Sequence, residues 1–221
     1  MEILGYGEDA LTYWALTEKL AEFLKELKDE TDPNEVLVIY RPSFGRGVGA
    51  SKSDCSATFG EFDAIVATGE AVYLVESKWH RSPEVKKSKR CVKLKENQIR
   101  RHDVFHWYRS NLTKSRREAW ARFDIDFGPE FKRRFIDLKL CLPPASSDLK
   151  KNLCFVLDKI EHYKETTINV VLFIGPVDWP QPNTVTDDQG KTIDFTIACI
   201  QFKGVQEGND YFDMDHTPPK P

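Results

Sequence analysis

The chain has 221 residues, 40% of them hydrophobic and 30% charged, which is the usage of a globular protein and not of a disordered one. No apolar run approaches the roughly 18 residues that a membrane-spanning helix needs. No basic stretch followed by an apolar one opens the chain, and the five scattered cysteines contain no Cys-x-x-Cys pair; a secretory leader, a disulfide scaffold and a zinc ribbon are therefore not expected, and a reducing, cytoplasmic setting is. The net charge of −3 conceals an asymmetry: residues 78–139 hold 19 Lys and Arg against 8 Asp and Glu, so this segment is strongly basic and the remainder acidic, the distribution of a protein with one polyanion-facing region.

From Glu8 to about Lys28, apolar residues recur at three- and four-residue steps (Leu11, Trp14, Ala15, Leu20, Phe23, Leu24, Leu27), predicting one amphipathic helix. Val36–Tyr40 is a short β-branched run and predicts a strand. The segment 41–56 carries Gly45, Gly47 and Gly49. It reads as a loop, without the strand–helix context and Lys-Ser/Thr ending of a phosphate-binding P-loop. Phe62–Ala67 and Ala71–Trp79, separated by Thr68-Gly69-Glu70, predict a hairpin whose second arm is apolar enough to be a buried central strand.

Beyond the hairpin, 81–95 is basic and irregular, and helices are expected at 96–108 and 116–123. The stretch 135–142 is ambiguous. Ser147 or Asp148 caps an amphipathic helix carrying Leu149, Leu153, Val156, Leu157, Ile160 and Tyr163, followed by a buried strand at 168–174 and another at 193–202. The resulting expectation is an α/β protein with a central mixed β-sheet flanked by helices. It is a single domain over 1–203 with a basic, partly helical insertion around 80–139, and 204–221 forms a flexible tail.

The chemistry concentrates on the hairpin. A charge in a buried strand is costly unless it is compensated, yet Asp63 opens the first arm and Glu76-Ser77-Lys78 ends the second. Residues two apart share a face of a strand, so Glu76 and Lys78 project together and Ser77 points away. The hairpin brings Asp63 alongside. Two adjacent carboxylates call for a cation, and Mg²⁺, which takes carboxylates, waters and phosphate oxygens, is the expected one, with Mn²⁺ as a substitute. Lys78 would position an attacking water and offset charge in the transition state. The bland alternative is a Glu76–Lys78 ion pair at an exposed strand end.

Asp63 with Glu76-Ser77-Lys78, on a hairpin that follows an N-terminal helix and precedes another helix, resembles the PD-(D/E)XK nuclease superfamily, with Phe62 where the name-giving pattern has Pro. The resemblance spans about residues 8–108. It implies a restriction-endonuclease-like core, a metal-dependent nuclease acting on DNA, and a metal held by Asp63, Glu76 and Glu8, the last matching an acid that some branches carry on the first helix. It also implies a supporting role for Gln98, matching a glutamine on the helix after the lysine. A homodimer would suit cleavage of both strands. Glu8 reads equally as a first-turn carboxylate favoured by the helix dipole, and Gln98 as an ordinary surface glutamine. Glu61, two residues before Asp63, is a further candidate on the same face. Lys86, Lys87, Lys89, Arg90, Arg100 and Arg101 follow directly on Lys78 and are the expected phosphate contacts. His102 and His106 share a helix face, but no third ligand for zinc is evident. The alternative function is a non-catalytic nucleic-acid-binding module, or a subunit of a complex, that keeps the nuclease fold.

Overall fold

The computed structural model describes residues 4–45, 56–202 and 211–213, with the backbone alone at Leu4–Tyr6 and Tyr211–Asp213. The elements in chain order are strand β1 (Leu4–Tyr6), helices α1 (Gly7–Thr17) and α2 (Leu20–Glu26), and strands β2 (Leu37–Tyr40), β3 (Ser43–Phe44), β4 (Gly60–Glu61), β5 (Ala64–Ala67), β6 (Val72–Trp79), β7 (Val85–Lys86) and β8 (Cys91–Lys93). Helices α3 (Glu96–Asn111), α4 (Lys114–Glu118), α5 (Trp120–Arg134) and α6 (Asp148–Ile160) come next, then strands β9 (Thr167–Pro176), β10 (Thr184–Thr186), β11 (Thr196–Phe202) and β12 (Tyr211–Asp213).

A five-stranded sheet in the order β11-β9-β6-β5-β2 forms the centre. β6, β9 and β11 run parallel, whereas β5 is antiparallel to both β6 and β2; the sheet is mixed, as expected from the sequence. The parallel β6-to-β9 connection carries α3 to α6, since two parallel strands cannot be joined by a tight turn. α1 and α2 cover one face, packing Leu11, Trp14, Phe23 and Leu24 on Val66, Tyr73, Val75 and Leu172. The other face buries Ile65, Val72 and Leu74 under Val104, Phe105, Phe131 and Leu157 from α3, α5 and α6. With helices on both sides, β6 is buried continuously from Val72 to Lys78.

Several boundaries differ from expectation. The first helix is two pieces, because the N–H groups of Glu18 and Lys19 both bond to the Trp14 carbonyl and the regular ladder lapses there. The basic stretch after β6 is not wholly irregular: β7 and β8 pair antiparallel, and β10 adds to β8 in a three-stranded sheet. The helix expected at 116–123 is instead α4 and a longer α5 that continues through Pro129. Within the ambiguous 135–142, Ile136–Leu138 is a turn of 3₁₀ helix. Ser147 caps α6, its hydroxyl accepting the Lys150 N–H at 3.2 Å. Part of the expected tail is ordered as β12, antiparallel to β1; the rest of it, like Gly47, Gly49 and most of the glycine loop, lies outside the described residues. Cys91, Cys154 and Cys199 are free thiols, and Cys141 is disulfide-bonded, which the scattered spacing had not led us to expect. Among the described residues no helix is long and apolar enough to cross a membrane.

Candidate active site at the end of the central strand

The site arises from a mismatch of strand lengths. β5 begins at Ala64, paired with Val75, so β6 runs on from Glu76 to Trp79 with no strand beside it on that edge. On its other edge the same residues stay paired with β9, Glu76 opposite Val171 and Trp79 opposite Ile174. The backbone N–H groups left without a ladder partner are those of Ser77 and Trp79, and a buried N–H needs an acceptor. Carboxylates supply it. Asp63 Oδ2 accepts from Ser77 N at 2.7 Å, and Glu8 Oε2 accepts from Trp79 N at 3.1 Å. Glu8 reaches this point from the first turn of α1 and also accepts from the Ser82 hydroxyl. The Thr12 and Ser77 hydroxyls, 2.6 Å apart, tie the same helix to β6.

Glu76 and Lys78 fall on one face of β6 by strand parity, the face of Val72 and Leu74 that α3 helps to cover, and Asp63, in the bend just before β5, reaches the same strand end through the Ser77 N–H. Glu76 is fully buried, Lys78 nearly so, and Asp63 half-buried. Burial, followed by the negative charge of Glu76, pushes the Asp63 carboxyl up to about 7, with Lys78 and the Ser77 N–H pulling the other way. For Lys78, burial acts against the charge, but Glu8, Glu76 and Asp63 outweigh it and hold its pKa above the ordinary lysine value. Lys78 is therefore an ammonium at neutral pH. Its Nζ donates to the Ser77 carbonyl at 2.8 Å and lies 3.5 Å from Glu8 Oε1.

Glu76 faces α3. Gln98, Arg101 and His102 lie on the helix face turned towards it, at the three- and four-residue spacing that stacks side chains. Gln98 Nε2 donates to Glu76 Oε2 at 3.2 Å while its Oε1 accepts the Lys95 N–H. Arg101 Nη2 donates to Oε2 at 2.8 Å. Arg101 Nε sits 2.7 Å from Oε1 but out of line for a hydrogen bond, and His102 Nε2 is 3.5 Å from the same oxygen. Glu76 Oε1, Arg101 Nε and His102 Nε2 are thus all buried without a hydrogen bond. His102 Nδ1 and His106 Nε2 both contact Asn169 Oδ1, at 2.8 and 2.9 Å, so the histidine pair meets an amide of β9.

The structure therefore brings Asp63, Glu76, Lys78, Glu8 and Gln98 to one end of β6, but not as three carboxylates around a point. Glu8 is turned to Trp79 and Ser82, and Glu76 to Arg101. Among the described residues no group of three or more His, Cys, Asp or Glu side chains is gathered for a metal ion. Glu61 instead pairs with Arg41 at 2.8 Å. The expected phosphate contacts divide. Lys86, Lys87, Lys89 and Arg90 are exposed around the β7–β8 turn, with Lys87 Nζ 4.3 Å from the centre of the Trp179 ring. Arg100 is engaged by Glu96, Asp103 and Asp137, and Arg101 lies inside, against Glu76. Sequence reading missed Thr12, Ser82 and Asn169 altogether and took Arg101 for a surface cation. The spacing of Gln98, Arg101 and His102 along one helix face was the available signal. Comparisons with protein-family models, curated proteins and solved structures return no match.

Proposed function

We propose that this protein is a metal-dependent nuclease with a restriction-endonuclease-like core, hydrolysing phosphodiester bonds in DNA. The observation that carries the reading is the gathering of two carboxylates and an ammonium at the end of the central strand where its neighbour stops: Glu76 and Lys78 on one face of β6, and Asp63 bonded to the Ser77 N–H between them. Residues held on a packed central strand have the rigid support that a site needs.

The donor set fits a hard divalent cation on two counts. Asp63 is pushed up to about 7, first by burial and then by Glu76, so its negative charge is poorly compensated where it stands. Glu76 Oε1 is buried and accepts no aligned hydrogen bond, although Arg101 Nε lies 2.7 Å from it. Mg²⁺ commonly binds through one or two carboxylates, completing its shell with water and substrate oxygens, so Asp63 and Glu76 suffice. When bound there, such a cation polarises the phosphoryl group and acidifies water. Lys78, held as an ammonium, orients the attacking water and offsets charge growing on the phosphoryl oxygens. Glu8 fixes Lys78 and the backbone at Trp79, and Gln98 orients Glu76.

One observation favours a second reading. Glu76 already has a charge partner in Arg101, as it would in a nucleic-acid-binding module that keeps the fold but not the chemistry. Incubation with linear, circular, single-stranded and branched DNA, with RNA as control, in Mg²⁺ or Mn²⁺ separates the two. A nuclease cleaves at least one substrate, and Asp63→Ala, Glu76→Ala or Lys78→Ala lowers the rate by about 100-fold or more, the scale of a lost transition-state contact, while DNA binding persists. Binding without scission on every substrate selects the module.

A further inference from the structure

Arg101 is the charge partner of Glu76. The guanidinium is about five-sixths buried, at 15% exposure, against a carboxylate of 0% exposure. It also donates from Nη1 to the Glu61 carbonyl, on the strand leading into Asp63. Its contact with Glu76 is imperfect: one hydrogen bond is made, and the Nε–Oε1 approach is not one. Arg101 also borders a cavity of about 110 Å³ whose lining includes Phe59, Asn97, Arg100, Val104, Leu138 and Leu140. A water occupies about 30 Å³ of liquid, so the cavity has room for a displaced side-chain head.

We infer that Arg101 is an internal counter-ion that competes with the divalent cation for Glu76 and withdraws towards this cavity when the cation binds. The inference rests on the reading of Asp63 and Glu76 as the metal pair. A buried carboxylate with no counter-charge is strongly destabilising, so the metal-free protein needs Arg101 where it is. The same requirement sets the metal affinity, because part of the cation's binding energy is spent in parting an existing ion pair. Arg101 thereby acts as a positioning residue that keeps the site closed to weakly bound or scarce cations.

Mn²⁺ titration of the full chain, followed by the loss of the free-ion paramagnetic resonance signal, tests this without reference to activity. Arg101→Gln is expected to bind Mn²⁺ at least about tenfold more tightly than the wild type, within the usual range of coupling between two sites. Arg101→Lys, which keeps the charge, is expected to stay close to the wild type. Leu138→Phe, which fills the cavity, is expected to bind several-fold more weakly; it decides the matter if Arg101→Gln fails to fold in chelator. Folded Arg101→Gln with wild-type affinity, or unchanged affinity in Leu138→Phe, overturns the competition alone. Mn²⁺ binding that survives Asp63→Asn combined with Glu76→Gln overturns the metal pair itself, and the competition with it.

Discussion

Asp63→Asn isolates the energetic cost of assembling the site. The native carboxyl titrates at about 7 against an ordinary value of 3.8, chiefly through burial and the neighbouring Glu76. The folded protein then holds a proton that the unfolded chain has released between these two values. By linkage, stability falls as pH rises through that window. The favourable contribution is complete below about pH 4 and is lost above about pH 7. A displacement of roughly three pH units at ~1.4 kcal/mol each sets an upper limit of about 4 kcal/mol. Asparagine keeps an acceptor for the Ser77 N–H and removes the charge. Urea unfolding in chelator, followed by tryptophan fluorescence at pH 4.5, 6 and 8, is expected to show the variant gaining on the wild type as pH rises, by about 2–4 kcal/mol at pH 8. Mg²⁺ is expected to narrow the gap by stabilising the wild type alone. Parallel stability–pH curves for the two proteins would refute the argument that Asp63 is held under electrostatic stress.

The remaining predictions concern the scaffold and the basic surface. Asp29 is buried and accepts the Thr68 hydroxyl at 2.6 Å, the Tyr73 hydroxyl at 2.7 Å and the Thr31 N–H at 2.9 Å. Burial opposes its ionisation, but these bonds outweigh burial and hold the carboxyl below its ordinary value. Its contribution is therefore present above about pH 4 and lost as pH falls further. Asp29→Ala leaves the buried Tyr73 hydroxyl short of an acceptor, whereas the Thr68 hydroxyl keeps the Ala71 carbonyl at 3.1 Å, and is expected to cost about 1–3 kcal/mol in denaturant unfolding at pH 7; a loss below about 0.5 kcal/mol would mean that water replaces the carboxylate. For DNA binding, replacing Lys86, Lys87, Lys89 and Arg90 together by alanine is expected to flatten the dependence of log affinity on log salt by up to about 3–4, since each lost phosphate contact removes about 0.9. An unchanged slope would place the DNA on another surface.

The parts of this structure legible in the sequence are those whose cause is local. The 148–160 helix has its cap and its apolar stripe within one stretch of chain, and the 62–79 hairpin has its turn residues between two β-branched arms. The parts that were not legible depend on distant partners. Thr184–Thr186 is a strand only because it lies in parallel register with Cys91–Lys93. α5 crosses Pro129 because Trp120, Phe123, Phe131 and Phe135 continue one aromatic seam into the core, and that packing outweighs the proline's local preference. At the site, parity along β6 placed Glu76 and Lys78 on one face, and the hairpin brought Asp63 alongside. Nothing in the hairpin, however, said which helix would lie over them. Arg101 resembles its basic neighbours in the sequence and differs from them only in facing a buried carboxylate. A charge run averages over faces, whereas the helix period of α3 separates Arg100, met by surface acids, from Arg101, met by Glu76.

The early end of β5 links these observations. One more ladder pair would satisfy the Ser77 N–H with a backbone carbonyl and bury the end of β6 in the sheet. Because the pairing stops, side chains must supply the acceptors, and carboxylates from two different elements do so. Each carboxylate thus has a structural reason for its position that holds with or without chemistry. What the sheet does not require is the second charge on the same face. Glu76 satisfies no backbone donor of β6, and its burial obliges α3 to provide Arg101, Gln98 and His102 around it. A residue that creates a need for compensation, where a leucine would create none, is maintained at a cost to stability, and such costs are found where a site must bind or react. Glu76, more than Asp63 or Glu8, is therefore the residue on which the functional reading turns.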